Sequence, residues 1–330
     1  MLKNASLAVL AAAAIATACP PAFAATDLRI VSFSGADNLP TWIAQDKGLF
    51  AKEGLNVTQA AASGSTQEIK DLYAGKYDLM SSAFDNIVAA AEGQSDVPLP
   101  APFDMVAVLG VRGGINSVVA RPEIDGFAGI KGKVVAVDAA KSGYAIVLYQ
   151  ILLKKGLTYG KDYTTVAVGS TANRAAALED GRAAAAMIDV TSDRPLQKRG
   201  FKILADATAE LGAYQGSAIV ARRPWAQDHE AELAAFIRAY VAATDYVFAH
   251  RDEAIAELKT HVKDMSDDEL GTLYDRITGP GGLDRHAALD LAGIDNVLKL
   301  RETYGEPKKQ MAPPSKYIDI TYMERALAGK

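Results

Sequence analysis

Trp42-Ile43-Ala44-Gln45-Asp46-Lys47-Gly48-Leu49-Phe50-Ala51-Lys52-Glu53-Gly54-Leu55-Asn56-Val57 is the stretch on which the fold turns. It is the end of a helix, two glycine stops and the start of a strand. Upstream, Leu28–Phe33 reads as a strand and Ser34-Gly35 as a loop. Asn38 can cap the helix, with Pro40 in its first turn, and Leu39, Trp42 and Ile43 share one face. Gly48 and Gly54 end helical segments, and Leu55–Gln59 returns to a strand. Gly64-Ser65-Thr66 then opens a helix with Ile69, Leu72 and Tyr73 on its apolar side. Gly75 closes it, Tyr77–Ser81 is strand-like, and Phe84-Asp85-Asn86 leads into another helix. Strands alternating with helices of this length predict an α/β fold with a mostly parallel sheet.

The pattern recurs downstream. Val134–Val137 reads as a strand, Ser142-Gly143 as a helix start, Tyr144–Lys155 as the helix, and Tyr163–Val168 as a strand. Gly169-Ser170-Thr171 opens a helix that Gly181 ends, before a strand over Ala184–Ile188. Both Gly-Ser-Thr segments stand between a strand and a helix that ends in glycine plus a cation. Two explanations compete: ordinary recurrence of caps, or two similar lobes. After about Tyr214 the texture becomes helical. Leu233, Phe236, Ile237, Tyr240, Val241 and Thr244 mark a long amphipathic face. Ser266 with Glu269 forms a capping box, and Leu289, Ile294, Val297, Leu298 and Arg301 belong to a third helix.

The chain has 330 residues, a net charge of −5, 49% hydrophobic and 23% charged residues, and one cysteine. That composition is ordinary for a globular protein and excludes disorder or coiled coil as the main state. It lacks the basic footprint of a nucleic-acid binder, and one cysteine excludes a disulfide framework. Lys3, the apolar run Leu7–Ala18 and Ala22-Phe23-Ala24 predict a secretory signal peptide over residues 1–24. The rival is a lipoprotein acylated at Cys19, for which Ala16-Thr17-Ala18-Cys19 is a poor lipobox.

Catalytic patterns are sparse. The four histidines lack metal-site spacing. There is no Gly-x-Ser-x-Gly elbow, Walker A loop or Gly-x-Gly-x-x-Gly. Gly279-Pro280-Gly281-Gly282 reads as a turn.

The segment Trp42–Val57 resembles the signature of extracytoplasmic solute-binding proteins of ABC importers, in the branch serving nitrate, sulfonates, taurine and thiamine-precursor pyrimidines. Leu72–Leu79, Ile130–Val137 and Leu178–Met187 resemble further blocks of that family in the right order. The resemblance implies an α/β, two-lobe periplasmic-binding-protein fold, type II-like, with a ligand cleft between the lobes. Residues 25–112 and 216–330 would form lobe one, with the C-terminal helices packed on it, and 113–215 lobe two. It further implies a periplasmic monomer that binds a small-molecule solute and meets the membrane subunits of an ABC permease, without cofactor, metal or nucleic acid. An enzyme on the same fold, a pyrimidine or other biosynthetic synthase, is the alternative, and a sensor a third reading.

Ligands of open α/β sheets bind beyond the carboxyl ends of the strands. The loops there place Ser34, Asn38, Trp42, Ser65, Thr66, Phe84, Asp85, Ser142, Tyr144, Ser170, Thr171 and Asp189 as candidate ligand contacts. Helix N-termini favour an anion, whereas Asp85 would accept hydrogen bonds from an amine or a heteroaromatic N–H. The combined expectation leans to a sulfonate- or carboxylate-type anion with an apolar or aromatic body, with a heteroaromatic solute as the alternative.

Overall fold

The computed structural model describes residues 25–97, 99, 104–114 and 116–328. The expected signal peptide, with Cys19, lies outside the described residues. The chain begins with β1 (Thr26–Ser32), α1 (Leu39–Asp46), α2 (Leu49–Lys52), β2 (Leu55–Ala61), α3 (Ser65–Tyr73), β3 (Leu79–Ala83), α4 (Phe84–Glu92) and β4 (Met105–Arg112). It continues through β5 (Asn116–Ala120), β6 (Val134–Val137), α5 (Gly143–Lys154), β7 (Thr164–Ala167), α6 (Thr171–Glu179), β8 (Ala185–Asp189), α7 (Val190–Lys198), β9 (Lys202–Asp206) and α8 (Ala207–Leu211). The remainder is β10 (Ser217–Arg222), α9 (Arg223–Asp228), α10 (Glu230–Ala249), α11 (Arg251–His261), α12 (Asp267–Ile277), α13 (Leu291–Tyr304) and α14 (Thr321–Leu327).

Two mixed sheets define two lobes. Their strand orders are β2-β1-β3-β10-β4 and β7-β6-β8-β5-β9. In each, three parallel strands adjoin an antiparallel one, β10 in the first sheet and β5 in the second. The two sheets have the same topology, position for position. The two Gly-Ser-Thr segments occupy equivalent places in it, after β2 and after β7, as two similar lobes require.

The elements follow from local chemistry. Burial alternates along β2, where Leu55 and Val57 face inward and Asn56 and Thr58 outward. All eight residues of β4 are buried. A strand covered on both faces shows no period-two pattern, which is why β4 and β5 leave little trace in the sequence. β10 returns to the first sheet within a region that otherwise reads as helical. The Ser266 capping box opens α12 as expected. Asn38 differs: its side chain makes no cap. Its Nδ2 donates to the carbonyls of Phe33 (2.7 Å) and Gly35 (2.9 Å), and its Oδ1 accepts from Gln59 Nε2 at 2.8 Å. It braces the loop after β1 instead.

The chain passes between the sheets at Gly113-Gly114 and again before Ser217. These crossings touch: Gly216 N–H donates to Arg112 O at 2.9 Å. A β-carbon on Gly216 would stand 1.8 Å from Gly113 O, so the approach admits only glycine. The C-terminal helices divide their contacts, contrary to packing on lobe one alone. α10 lies against α1, α2 and α14, but α13 lies against both α4 of lobe one and α5 of lobe two. One buried apolar cluster accordingly runs from Phe84 and Ile87 through Ile294 and Val297 to Ile146 and Val147.

Replacing Gly216 by alanine should force the crossings apart and destabilise the protein by about 1–3 kcal/mol, as overpacking does. Urea denaturation monitored by circular dichroism measures this, and an unchanged midpoint would contradict the close approach.

Candidate functional site

The carboxyl ends of the parallel strands in both sheets face a common cleft. At its base is a chamber of about 50 Å³, lined from lobe one by Phe33, Asp37 and Asn86, among others, and from lobe two by Asp138, Tyr144 and Arg174. A more open groove of about 730 Å³ lies outside it, along Trp42, Gln59, Ser170 and His261. Phe33, Ser34 and Thr171 line both and form the passage between them.

Arg112 closes the floor. It ends β4, where the chain leaves the first sheet, and is 6% exposed. Its Nε donates to Asp37 Oδ2 at 3.0 Å, and its Nη2 to Asp189 Oδ2 of lobe two at 3.2 Å. The guanidinium carbon stands 5.7 Å from the Tyr144 ring centre. Burial works against this charge, but Tyr144, Asp37 and Asp189 together hold it more firmly protonated than usual. Burial raises the Asp37 carboxyl above its ordinary range, with Arg112 opposing.

The second cation is Arg174 on α6. Its Nε, Nη1 and Nη2 donate to Met187 O (2.7 Å), Gly169 O (2.6 Å) and Thr171 Oγ1 (2.8 Å). Burial lowers its pKa. Asp138, after β6, accepts the Ser65 N–H at 3.4 Å, and burial raises its carboxyl. Glu68, on α3 beside Ser82, is 1% exposed and neither carboxylate oxygen has a hydrogen-bond partner. Burial pushes its carboxyl well above the usual range, and Asp138 and Asp37 add to the effect.

The lobes are tied together around the chamber. Ser170 N–H donates to Ser63 O at 3.2 Å, so the loops carrying the two Gly-Ser-Thr segments meet across the cleft. Gly143 N–H donates to Asn86 Oδ1 at 3.0 Å, and Ala36 N–H to Thr191 Oγ1 at 3.1 Å. Both carboxylate oxygens of Asp193 on α7 accept from Arg276 of α12 at 2.8 Å.

Of the expected contacts, Ser34, Ser142, Tyr144, Thr171 and Asp189 come together on the chamber wall. Asn38, Trp42 and Ser170 line the outer groove, where Trp42 stacks on His261 with ring centres 3.9 Å apart. Ser65, Thr66, Phe84 and Asp85 line neither cavity. Phe84 is wholly buried in the core. Asp85 faces Arg301 of α13: the buried Arg301 Nε donates to its Oδ1, while Arg301 Nη2 donates to Lys141 O of lobe two at 2.6 Å. Asp85 therefore braces the seam between lobes. Asp37, Asn86, Arg112, Asn116, Asp138 and Arg174 also line the chamber. Asn86, Asp138 and Arg174 stand beside expected contacts without being among them, and in sequence Arg112 is only the last residue of the first lobe-one segment. Among the described residues no group of side chains could hold a metal ion, and no helix is long and apolar enough to cross a membrane.

Two similar α/β lobes around an enclosed cleft define a periplasmic-binding-protein fold. The chain belongs to the NMT1/THI5-like family, whose profile matches residues 36–254. The fold is shared with the nitrate-binding protein NrtA of Synechocystis (15% identical, TM-score 0.75, covering 92% of this chain and 89% of that one). It is shared too with the alkanesulfonate-binding protein SsuA of Xanthomonas axonopodis pv. citri bound to MOPS (18%, TM-score 0.69, 84% and 92%). A ligand-binding component of an ABC-type import system from Staphylococcus aureus is similar as well (13%, TM-score 0.74, 91% and 99%). A relative in Uromyces fabae, named 4-amino-5-hydroxymethyl-2-methylpyrimidine phosphate synthase, is 28% identical over 235 residues. The match spans 64% of this chain and 63% of that relative.

Two substitutions separate scaffold from site. Asp85→Ala should leave the Arg301 charge buried and unpaired, costing about 3–5 kcal/mol, seen as a lowered urea midpoint. A variant of wild-type stability would refute the pairing. Glu68 holds its proton in the folded protein above the pH at which the unfolded chain releases it. Its contribution is therefore full below the ordinary glutamate pKa and is lost as pH rises through the raised folded value. Glu68→Gln, which mimics the protonated form, should raise the melting temperature at pH 8 and leave it nearly unchanged at pH 4. Equal effects at both pH values would remove this assignment.

Proposed function

We propose that the chain is an extracytoplasmic solute-binding protein that encloses a small organic solute between its lobes and delivers it to the membrane subunits of an ABC permease. The observation that carries this is the chamber itself, walled by strand ends of both lobes and reached through a wider groove. A cleft divided between two lobes couples occupancy to their closure, and a permease can read the closed form. Residues 25–112 with 216–330 act as one body and 113–215 as the other, working as a monomer in the periplasm. The faces of Phe33 and Tyr144 suit a flat or apolar body on the solute.

A second reading, a synthase on the same fold, is favoured by the printed name of the Uromyces fabae relative. Its discriminator is the fate of the bound compound. Protein isolated from the periplasm should release, on denaturation, a small molecule that restores a raised melting temperature when added back. At a hundred times its dissociation constant it should contribute about 2.7 kcal/mol. The compound should be recovered unchanged after long incubation, and its addition should make the protein more compact in small-angle scattering. Chemical conversion of the compound would replace the carrier with the enzyme.

A further inference from the structure

The inference rests on the carrier reading and names the charge of the solute. An anion in such a cleft would use free helix N-termini or free guanidinium groups. Here the helix starts already hold the protein's own acceptors. The first N–H of α3 donates to Asp138, and that of α5 to Asn86 Oδ1. Ser142 Oγ caps Ala145 N–H, Ser170 Oγ caps Asn173 N–H, and Asp189 Oδ1 caps Thr191 N–H. Both guanidinium groups are occupied as well. Arg112 is shared by Asp37 and Asp189, and each nitrogen of Arg174 has an acceptor from the protein.

The unused groups are acceptors. Asp138 lines the chamber, where Ser65 donates its backbone N–H to it at 3.4 Å and Arg174 lies near enough to act on its charge. Behind Ser82, which also lines the chamber, Glu68 keeps two oxygens without partners. On the wall itself three carboxylates, Asp37, Asp138 and Asp189, stand against Arg112 and Arg174. A bound anion would add to the carboxylate charge of that wall. A cation with N–H donors would reduce the excess and give Asp138 a further donor beside Ser65.

We propose that the cleft selects a cationic N–H donor of amidinium or guanidinium type, with Asp138 as its principal acceptor, and discriminates against sulfonates and nitrate.

The test uses matched pairs on the mature protein: methylguanidinium against methanesulfonate, and benzamidinium against benzenesulfonate. Calorimetry and thermal melts should show binding of the cation in each pair and none of the sulfonate, with nitrate also silent. Asp138→Asn should weaken cation binding roughly ten- to a hundredfold, the loss expected when a charge-assisted hydrogen bond is removed, while the free variant melts no lower than wild type. The wild-type pairs decide the question even if that variant folds poorly. A sulfonate or nitrate that binds as tightly as the cations, or silence of both cations, overturns the charge assignment. Compaction by a sulfonate would do so while leaving the carrier intact, whereas chemical turnover of a bound compound would remove the carrier and leave the charge preference standing.

Discussion

Arg112 bears the constraint that the rest of the cleft must satisfy. Its guanidinium is buried at the point where the chain leaves the first sheet, and a buried cation must be paired. One partner, Asp37, comes from the same lobe and the other, Asp189, from the opposite lobe. The lobes can therefore separate only by stripping Arg112 of a carboxylate. The same pairing decides what the floor can offer a ligand. A guanidinium held between two carboxylates presents no free fork to a sulfonate, and two carboxylates on one cation leave a negative excess nearby.

The seam around this floor is made from contacts of different kinds. Backbone donors meet side-chain acceptors at Asn86 and Thr191, a bidentate pair joins Arg276 to Asp193, and α13 lays apolar residues over both α4 and α5. Tyr304 of α13 adds a hydrogen bond to Gln150 of α5 at 2.6 Å. Such contacts stabilise this arrangement of the two lobes. A solute shifts the equilibrium only by the difference in its affinity for the two forms. Asp138, on the chamber wall with one hydrogen bond at 3.4 Å from the Ser65 N–H, is where that difference can arise.

The scaffold was more legible in the sequence than the site. Alternating helices and strands, glycine stops and the Ser266–Glu269 cap are local, and local chemistry writes them into neighbouring residues. The fully buried β4 and the returning β10 were hidden, because their identity as strands depends on partners far along the chain. The same holds for function. Ser142, Tyr144, Thr171 and Asp189 reach the chamber wall because they stand at strand ends, a position that sequence can mark. Asp85 looked like a ligand acceptor only because Arg301, 216 positions away in the chain, cannot be seen beside it in sequence. Arg112 and Arg174 were missed for the converse reason: their partners and the chamber they line exist only after both lobes have come together.

A repeated topology gives the scaffold, and different residues at equivalent strand ends give the chemistry. The two sheets repeat one topology, yet the residue following β1 is Phe33 and the residue following β6 is Asp138, and both line the chamber. The Gly-Ser-Thr segments diverge in the same way. Ser170 caps its own helix through its hydroxyl, whereas the helix starting at Ser65 has its N–H capped by Asp138 from the opposite lobe. Closure thus places the acidic strand end of one lobe against the helix start and the aromatic strand end of the other. Aromatic faces and acceptors from both lobes then confront the same small volume, Phe33 and Asp37 from one, Tyr144 and Asp138 from the other.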